Sequence, residues 1–135
     1  MSARLIDGTA VSREIREDLK RRVAALRARG IDPGLAFVIV GDDPASVSYV
    51  RSKAQACNEI GMRSETFRLP DWTTEDDLLA LVRGLNEDPL WHGMIVQLPL
   101  PRQIDPLKIA SAIDVEKDAD AAHPYNLGRL LAGMA

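Results

Sequence analysis

Leu35-Ala-Phe-Val-Ile-Val40, closed by Gly41-Asp-Asp-Pro44, is the stretch on which the reading of this 135-residue chain turns. Six apolar residues, half of them β-branched, are too few for a buried helix. Their unbroken run shows no alternation between a wet and a dry face. This is the pattern of a strand covered on both sides, as in parallel sheets flanked by helices. Gly41-Asp-Asp-Pro44 is turn chemistry, with Asp43 or Pro44 placed to open a helix.

Downstream of the turn, Val47, Val50, Ala54 and Cys57 form the apolar stripe of a helix that runs to about Ile60, where Gly61 stops it. Upstream, Val11, Ile15, Leu19, Val23 and Leu26 recur every three or four residues, an amphipathic helix ended by Gly30. Met62–Leu69 reads as a second strand, more polar and so nearer an edge. Thr73 or Thr74 caps a third helix, with Asp76 and Asp77 three residues on and Leu78, Leu81, Val82 and Leu85 facing inward. Gly93–Gln97 is a third, buried strand. Asp105-Pro106 opens a fourth helix that ends near Ile113. A polar loop then runs to Pro124, and a last short helix begins around Asn126. Strands alternating with helices predict an α/β fold in three layers, αβα, with a mainly parallel sheet and right-handed crossovers. In such sheets ligands sit beyond the carboxyl ends of the strands, so the turns after Val40 and Val96 are the places to look.

Composition narrows the function classes. Seventeen Lys and Arg against twenty Asp and Glu leave a net charge of −3, which provides no basic footprint for nucleic acid or an anionic membrane. The single cysteine excludes an internal disulfide and a Cys-based zinc site. No apolar run approaches the ~20 residues of a membrane span. Met1-Ser2-Ala3-Arg4 begins no secretory signal, so a soluble, cytoplasmic, one-domain protein is expected. Neither G-x-G-x-x-G, a Walker A loop nor a G-x-S-x-G elbow occurs. Cys57 reads as core, His92 lies at the wrong end of its strand for catalysis, and Trp72 and Trp91 read as packing groups.

Three segments carry chemistry. Ser46, Tyr49 and Lys53 stand at i, i+3 and i+7 and share one helical face. Tyr49 and Lys53 lie about 100° from the Val50 and Ala54 stripe and so flank the core. Such a pair can polarise a substrate, or it is a surface tyrosine resting on a lysine stem. Gln97-Leu98-Pro99-Leu100-Pro101 leaves the third strand, and Gln97, both donor and acceptor, should project into the same crevice. The alternative is a rigid loop with an exposed amide. In Lys117-Asp-Ala-Asp-Ala-Ala-His-Pro124, Asp118 and Asp120 either orient a polar ligand group or belong to a solvated acidic loop. The carboxylates are too close along an irregular loop for a metal site to be expected.

Taken together, these segments resemble the bifunctional methylenetetrahydrofolate dehydrogenase/cyclohydrolase family, in its N-terminal, folate-binding catalytic domain. Gly41-Asp-Asp-Pro-Ala-Ser-Val-Ser-Tyr-Val-Arg-Ser-Lys53, Gly93-Met-Ile-Val-Gln-Leu-Pro-Leu-Pro101 and Lys117–Leu130 are similar to the family's signatures, in the right order. The resemblance implies that Lys53 is the central catalytic group, held by Gln97. It implies that Tyr49 packs on the folate ring system and that Asp120 bonds its pterin end. Ser46, Val96, Leu98, Pro99 and Pro101 would line the substrate site. A cationic one-carbon bridge beside the amine disfavours its protonated form, so a neutral Lys53 would activate water as general base. The resemblance further implies NADP as cofactor and a homodimer. It divides the chain into a folate domain over residues 1–120 and the start of a connecting segment over 121–135, with the family's C-terminal Rossmann domain absent.

Two departures stand out. Ala121 and Ala122 replace the family's usual Gly-Phe, and an alanine where a positive φ is needed would force another turn and displace Asp120. The chain is also short, so hydride transfer would need an NADP domain that it lacks, leaving cyclohydrolase as the one activity it could keep. A binding module without catalysis is the alternative. Tyr49-x-x-x-Lys53 also matches the spacing of short-chain-type oxidoreductases, but these need a glycine-rich turn that Gly41-Asp-Asp-Pro44 does not supply.

Overall fold

The structure is a computed structural model, described here for residues 6–134. Met1–Arg4, read above for a leader, lie outside the described residues. Along the chain come α1 (Gly8–Ala28), β1 (Gly34–Val40), α2 (Pro44–Glu59), β2 (Arg63–Leu69), α3 (Glu75–Glu87), β3 (Gly93–Val96), α4 (Pro106–Ala112) and α5 (Pro124–Leu131). The three strands pair in parallel, in the order β2-β1-β3. The expected α/β architecture with a parallel sheet is therefore present.

β1 is the central strand because it alone can be dry on both faces. Ala36, Val38 and Val40 point to one side, where Leu78, Leu79, Val82 and Leu85 of α3 and Ile109 of α4 close over them. Phe37 and Ile39 point to the other, against Val50 and Cys57 of α2 and Ile95 of β3. Helices thus cover both faces, giving the three layers. Helix starts follow local chemistry: Asp43 accepts from Ser46 N at 2.8 Å, Thr74 from Asp77 N at 3.1 Å and Asp105 from Leu107 N at 2.9 Å. Pro44, Pro106 and Pro124 fill first-turn positions whose N–H would have no partner. Gly34 is required by close approach, since a Cβ there would stand 2.3 Å from the Leu90 carbonyl oxygen.

Three expectations need correction. β3 is buried as expected but ends at Val96, one residue short of Gln97; it is an edge strand whose free side is lined by residues 117–119, where Met94 N donates to Lys117 O at 2.8 Å and Ala119 N to Met94 O at 3.3 Å. Trp72 is no packing group. It is 78% exposed in the turn before α3, whereas Trp91 is buried with its ring edge-on to Phe67. The stripe of α1 is only partly used: Val23 is buried, Leu19 and Leu26 are half-buried, and Val11 and Ile15 are exposed. Instead of closing onto the sheet, α1 leaves an apolar groove of about 470 Å3 among Leu19, Leu26, Leu35, Phe37, Ile60 and Met62.

Candidate active site

The turn after β1 and the segment after β3 meet at the carboxyl end of the sheet. Gln97 still holds the sheet through its backbone, its N–H donating to Val38 O at 2.8 Å. Its side chain does two things at once. Nε2 donates to the Leu98 carbonyl at 2.8 Å, and Oε1 accepts from Lys53 Nζ at 3.1 Å. With the other amide orientation, two carbonyl oxygens would oppose each other and two donors would meet, so the Leu98 carbonyl decides which end of the amide faces the amine. Lys53 comes from the middle of α2, half-buried, its stem along the apolar groove beside Phe37 and Cys57. Tyr49, one turn earlier, is 63% exposed at the mouth of this pair.

Ser46 shares their helical face but not their surroundings. It is 3% exposed, and its backbone N–H and its hydroxyl both donate to one oxygen of Asp43 at 2.8 Å. The hydroxyl also stands 3.3 Å from the Leu98 carbonyl oxygen, so it ties the start of α2 to the Gln97 loop. These bonds from Ser46 hold the Asp43 carboxyl below the usual carboxylate range. Leu98 and Pro99 are exposed, Val96 and Pro101 half-buried, and the Leu98–Pro99 peptide is cis.

Asp120 is exposed and borders a small cavity of about 50 Å3 with Val96, Leu98, Leu100, Ile109 and Ile113. It stands with the Gln97 segment rather than in contact with Lys53. Ala121 takes φ 53°, so the alanine itself adopts the left-handed conformation and no different turn is forced. Asp118, read from the sequence as a ligand-orienting carboxylate, turns inward instead. It accepts from Ala122 N at 3.0 Å, His123 N at 2.9 Å and Asn126 Nδ2 at 3.0 Å. Burial works to raise its pKa; the Asn126 amide and the backbone N–H groups of His123, Ala122 and Asp120 outweigh it, leaving the carboxyl below its usual range. The signal in the sequence was an aspartate followed by a turn and a helix-opening His-Pro.

His92 sits at the opposite, amino end of the strands, its Nδ1 accepting from Gly34 N at 3.2 Å. Cys57 is buried, and desolvation pushes its thiol pKa up. The turn after β1 is not built for a dinucleotide: Asp42 and Asp43 would oppose a diphosphate, and Pro44 removes an N–H from the start of α2. Among the described residues no group of three or more His, Cys, Asp or Glu is placed to hold a metal, and no helix is long and apolar enough to cross a membrane.

The class this defines is a parallel α/β domain with an amine–amide pair in the crevice beyond its strand ends. Residues 6–120 match the family described as tetrahydrofolate dehydrogenase/cyclohydrolase, catalytic domain, and the chain belongs to that family. It is 51% identical over 131 residues to the bifunctional protein FolD of Geotalea uraniireducens, covering 97% of this chain and 47% of that protein. Among solved structures, the bifunctional FolD enzyme of Campylobacter jejuni superposes with a TM-score of 0.92 at 45% identity, covering 95% of this chain and 45% of that one. The Trypanosoma brucei methylenetetrahydrofolate dehydrogenase-cyclohydrolase, solved with NADP cofactor and an inhibitor, gives 0.90 at 41% identity, covering 96% and 45%. The chain spans about half the length of the curated relatives it matches.

Proposed function

We propose that this chain is the folate-binding catalytic part of a methylenetetrahydrofolate dehydrogenase/cyclohydrolase, and that its own residues perform the hydrolysis of methenyltetrahydrofolate to formyltetrahydrofolate. The observation that carries this reading is the Lys53–Gln97 hydrogen bond across two separate strand-end segments. An amide oxygen accepts from either form of the amine and, unlike a carboxylate, carries no net charge, so it fixes the position of Nζ without an ion pair. A substrate bearing positive charge on its one-carbon bridge then favours the neutral form, and Lys53 takes a proton from the water that bonds to the bridge carbon. Exposed Tyr49 offers a ring face for the pterin and Asp120 a carboxylate for its polar edge. Val96, Leu98, Pro99 and Pro101 supply the wall. Ser46, buried on Asp43, serves that wall from behind.

Oxidation of methylenetetrahydrofolate needs a hydride acceptor, NADP on the precedent of the Trypanosoma brucei relative, held by residues other than the strand-end turns described here. Residues 1–120 form the folate unit in this reading, and 121–135 begin a connecting segment, in keeping with an α5 that has no buried residue.

Lys53→Met tests the assignment. Loss of methenyltetrahydrofolate absorbance is expected to slow by roughly 100-fold or more, the usual worth of a general base, while calorimetry finds tetrahydrofolate binding retained. Unchanged hydrolysis in the variant overturns the role of Lys53. Binding without any hydrolysis by the unaltered chain makes it a binding module.

A further inference from the structure

The loop that carries Asp120 follows α4 and has no regular structure, yet hydrogen bonds fix it at several points. Residues 117–119 follow the free side of β3 through the two backbone bonds with Met94. Lys117 Nζ donates to the carbonyls of Leu85 and Asp88 at 3.0 and 2.9 Å, which secures the start of the loop to the end of α3. The next residues then wrap around one side chain. Asp118 accepts from the N–H groups of Ala122 and His123 and the amide of Asn126, whose Nδ2 also reaches Val115 O at 2.8 Å. A tight wrap of this kind requires a reversal of the chain, and Ala121 makes it at φ 53°, a conformation unfavourable for any residue with a Cβ. Three donors on one carboxylate offset that strain.

We propose that Asp118 is the positioning residue for Asp120: its carboxylate gathers the backbone of residues 120–123 and the head of α5, and so delivers Asp120 to the Leu98 side of the cleft. This rests on the reading of Asp120 as a folate ligand. Asp118 touches no substrate; it acts through the turn. It also makes the position of Asp120 depend on α5, because Asn126 is one of the three donors.

The test compares the unaltered chain with Asp118→Asn, Asp120→Asn and the double variant, by tetrahydrofolate calorimetry and by amide hydrogen exchange. Asp118→Asn is expected to speed exchange at Asp120, Ala122 and His123 roughly tenfold while β1 stays protected. It is expected to weaken tetrahydrofolate by about tenfold, and the double variant to bind no more weakly than Asp120→Asn alone. Losses that multiply overturn the proposal, since Asp118 would then contribute by another route. So does unchanged exchange in the turn. If the unaltered chain binds no tetrahydrofolate, the folate reading fails, while faster exchange in Asp118→Asn still upholds Asp118 as the group that holds Asp120 in place. Should Asp118→Asn fail to fold, Asn126→Ala removes one donor and keeps the carboxylate; faster exchange at His123 supports the proposal and none overturns it.

Discussion

The two faces of the sheet are built differently. On the α3/α4 side, β1 contributes Ala36, Val38 and Val40 to a core that also takes in Trp91, Met94, Ile104, Ile109 and Ile113. On the α1/α2 side the buried cluster is five residues, and α1 stands over it with only Val23 buried. Exposed ion pairs, each worth little, link α1 to its neighbours: Arg16 to Glu59 at 2.5 Å, and Arg27 to Asp32 at 2.8 Å, with Arg63 on the same carboxylate. The closed face stabilises the fold. The open face carries Lys53, whose stem lies along the uncovered groove, so the proposed general base sits on the half of the molecule with the least apolar burial to lose.

The contrast can be broken most directly by cavities. Leu78→Ala on the closed face is expected to cost about 3 kcal/mol in urea unfolding. Val23→Ala on the open face should cost about half as much, and Leu19→Ala less than about 1 kcal/mol. Equal losses at Leu78 and Leu19 would show that α1 is as firmly seated as α3. Acid sharpens the contrast further. The Asp32 carboxyl is held below its usual range by its hydrogen bond to Arg27, then by Arg63, and that of Glu75 by Lys108 and the N–H of Asp105. A lowered folded-state pKa gives stability that is present above the unfolded value near 4 and lost as pH falls through the folded one. Both faces therefore weaken in acid, but α1 has little else to hold it. Between about pH 5 and pH 3, amide exchange in α1 should accelerate before exchange in α3 does. The smallest expected effect is at the turn: Ala121→Gly should stabilise by about 1 kcal/mol or less, as strain relief is offset by the freer unfolded chain.

Most of the architecture was legible in the sequence because local chemistry and the fold agree. A continuous apolar run, half of it β-branched, reads as a strand covered on both faces, and Asp43, Thr74 and Asp105 cap their helices by bonds that span two or three residues. What periodicity does not tell is whether anything covers a face: Val11 and Ile15 keep perfect helical spacing with Leu19 and Val23, yet remain exposed. Trp72 fails for a similar reason, since residue type alone does not bury a side chain. In the site, Lys53 and Gln97 were reachable through the rule that parallel sheets bind at their strand ends. Ser46 was named with them, but its buried place on Asp43 was not foreseen, because sharing a helical face with Lys53 says nothing of the Leu98 carbonyl that meets its end of α2. Asp118 was hidden in a segment whose order comes from one carboxylate and not from any repeat.

The unlike settings of the two indoles give the molecule two optical reporters at opposite ends of its strands. Trp72, wet and in the turn that follows β2, is expected to be open to quenchers and to emit in the red. Trp91, dry against Phe67, emits in the blue until the closed face opens. A titration that changes the red component alone is expected to report events at the carboxyl end of the strands, and one that shifts the blue to report melting. A single cuvette therefore separates filling from unfolding without any added label.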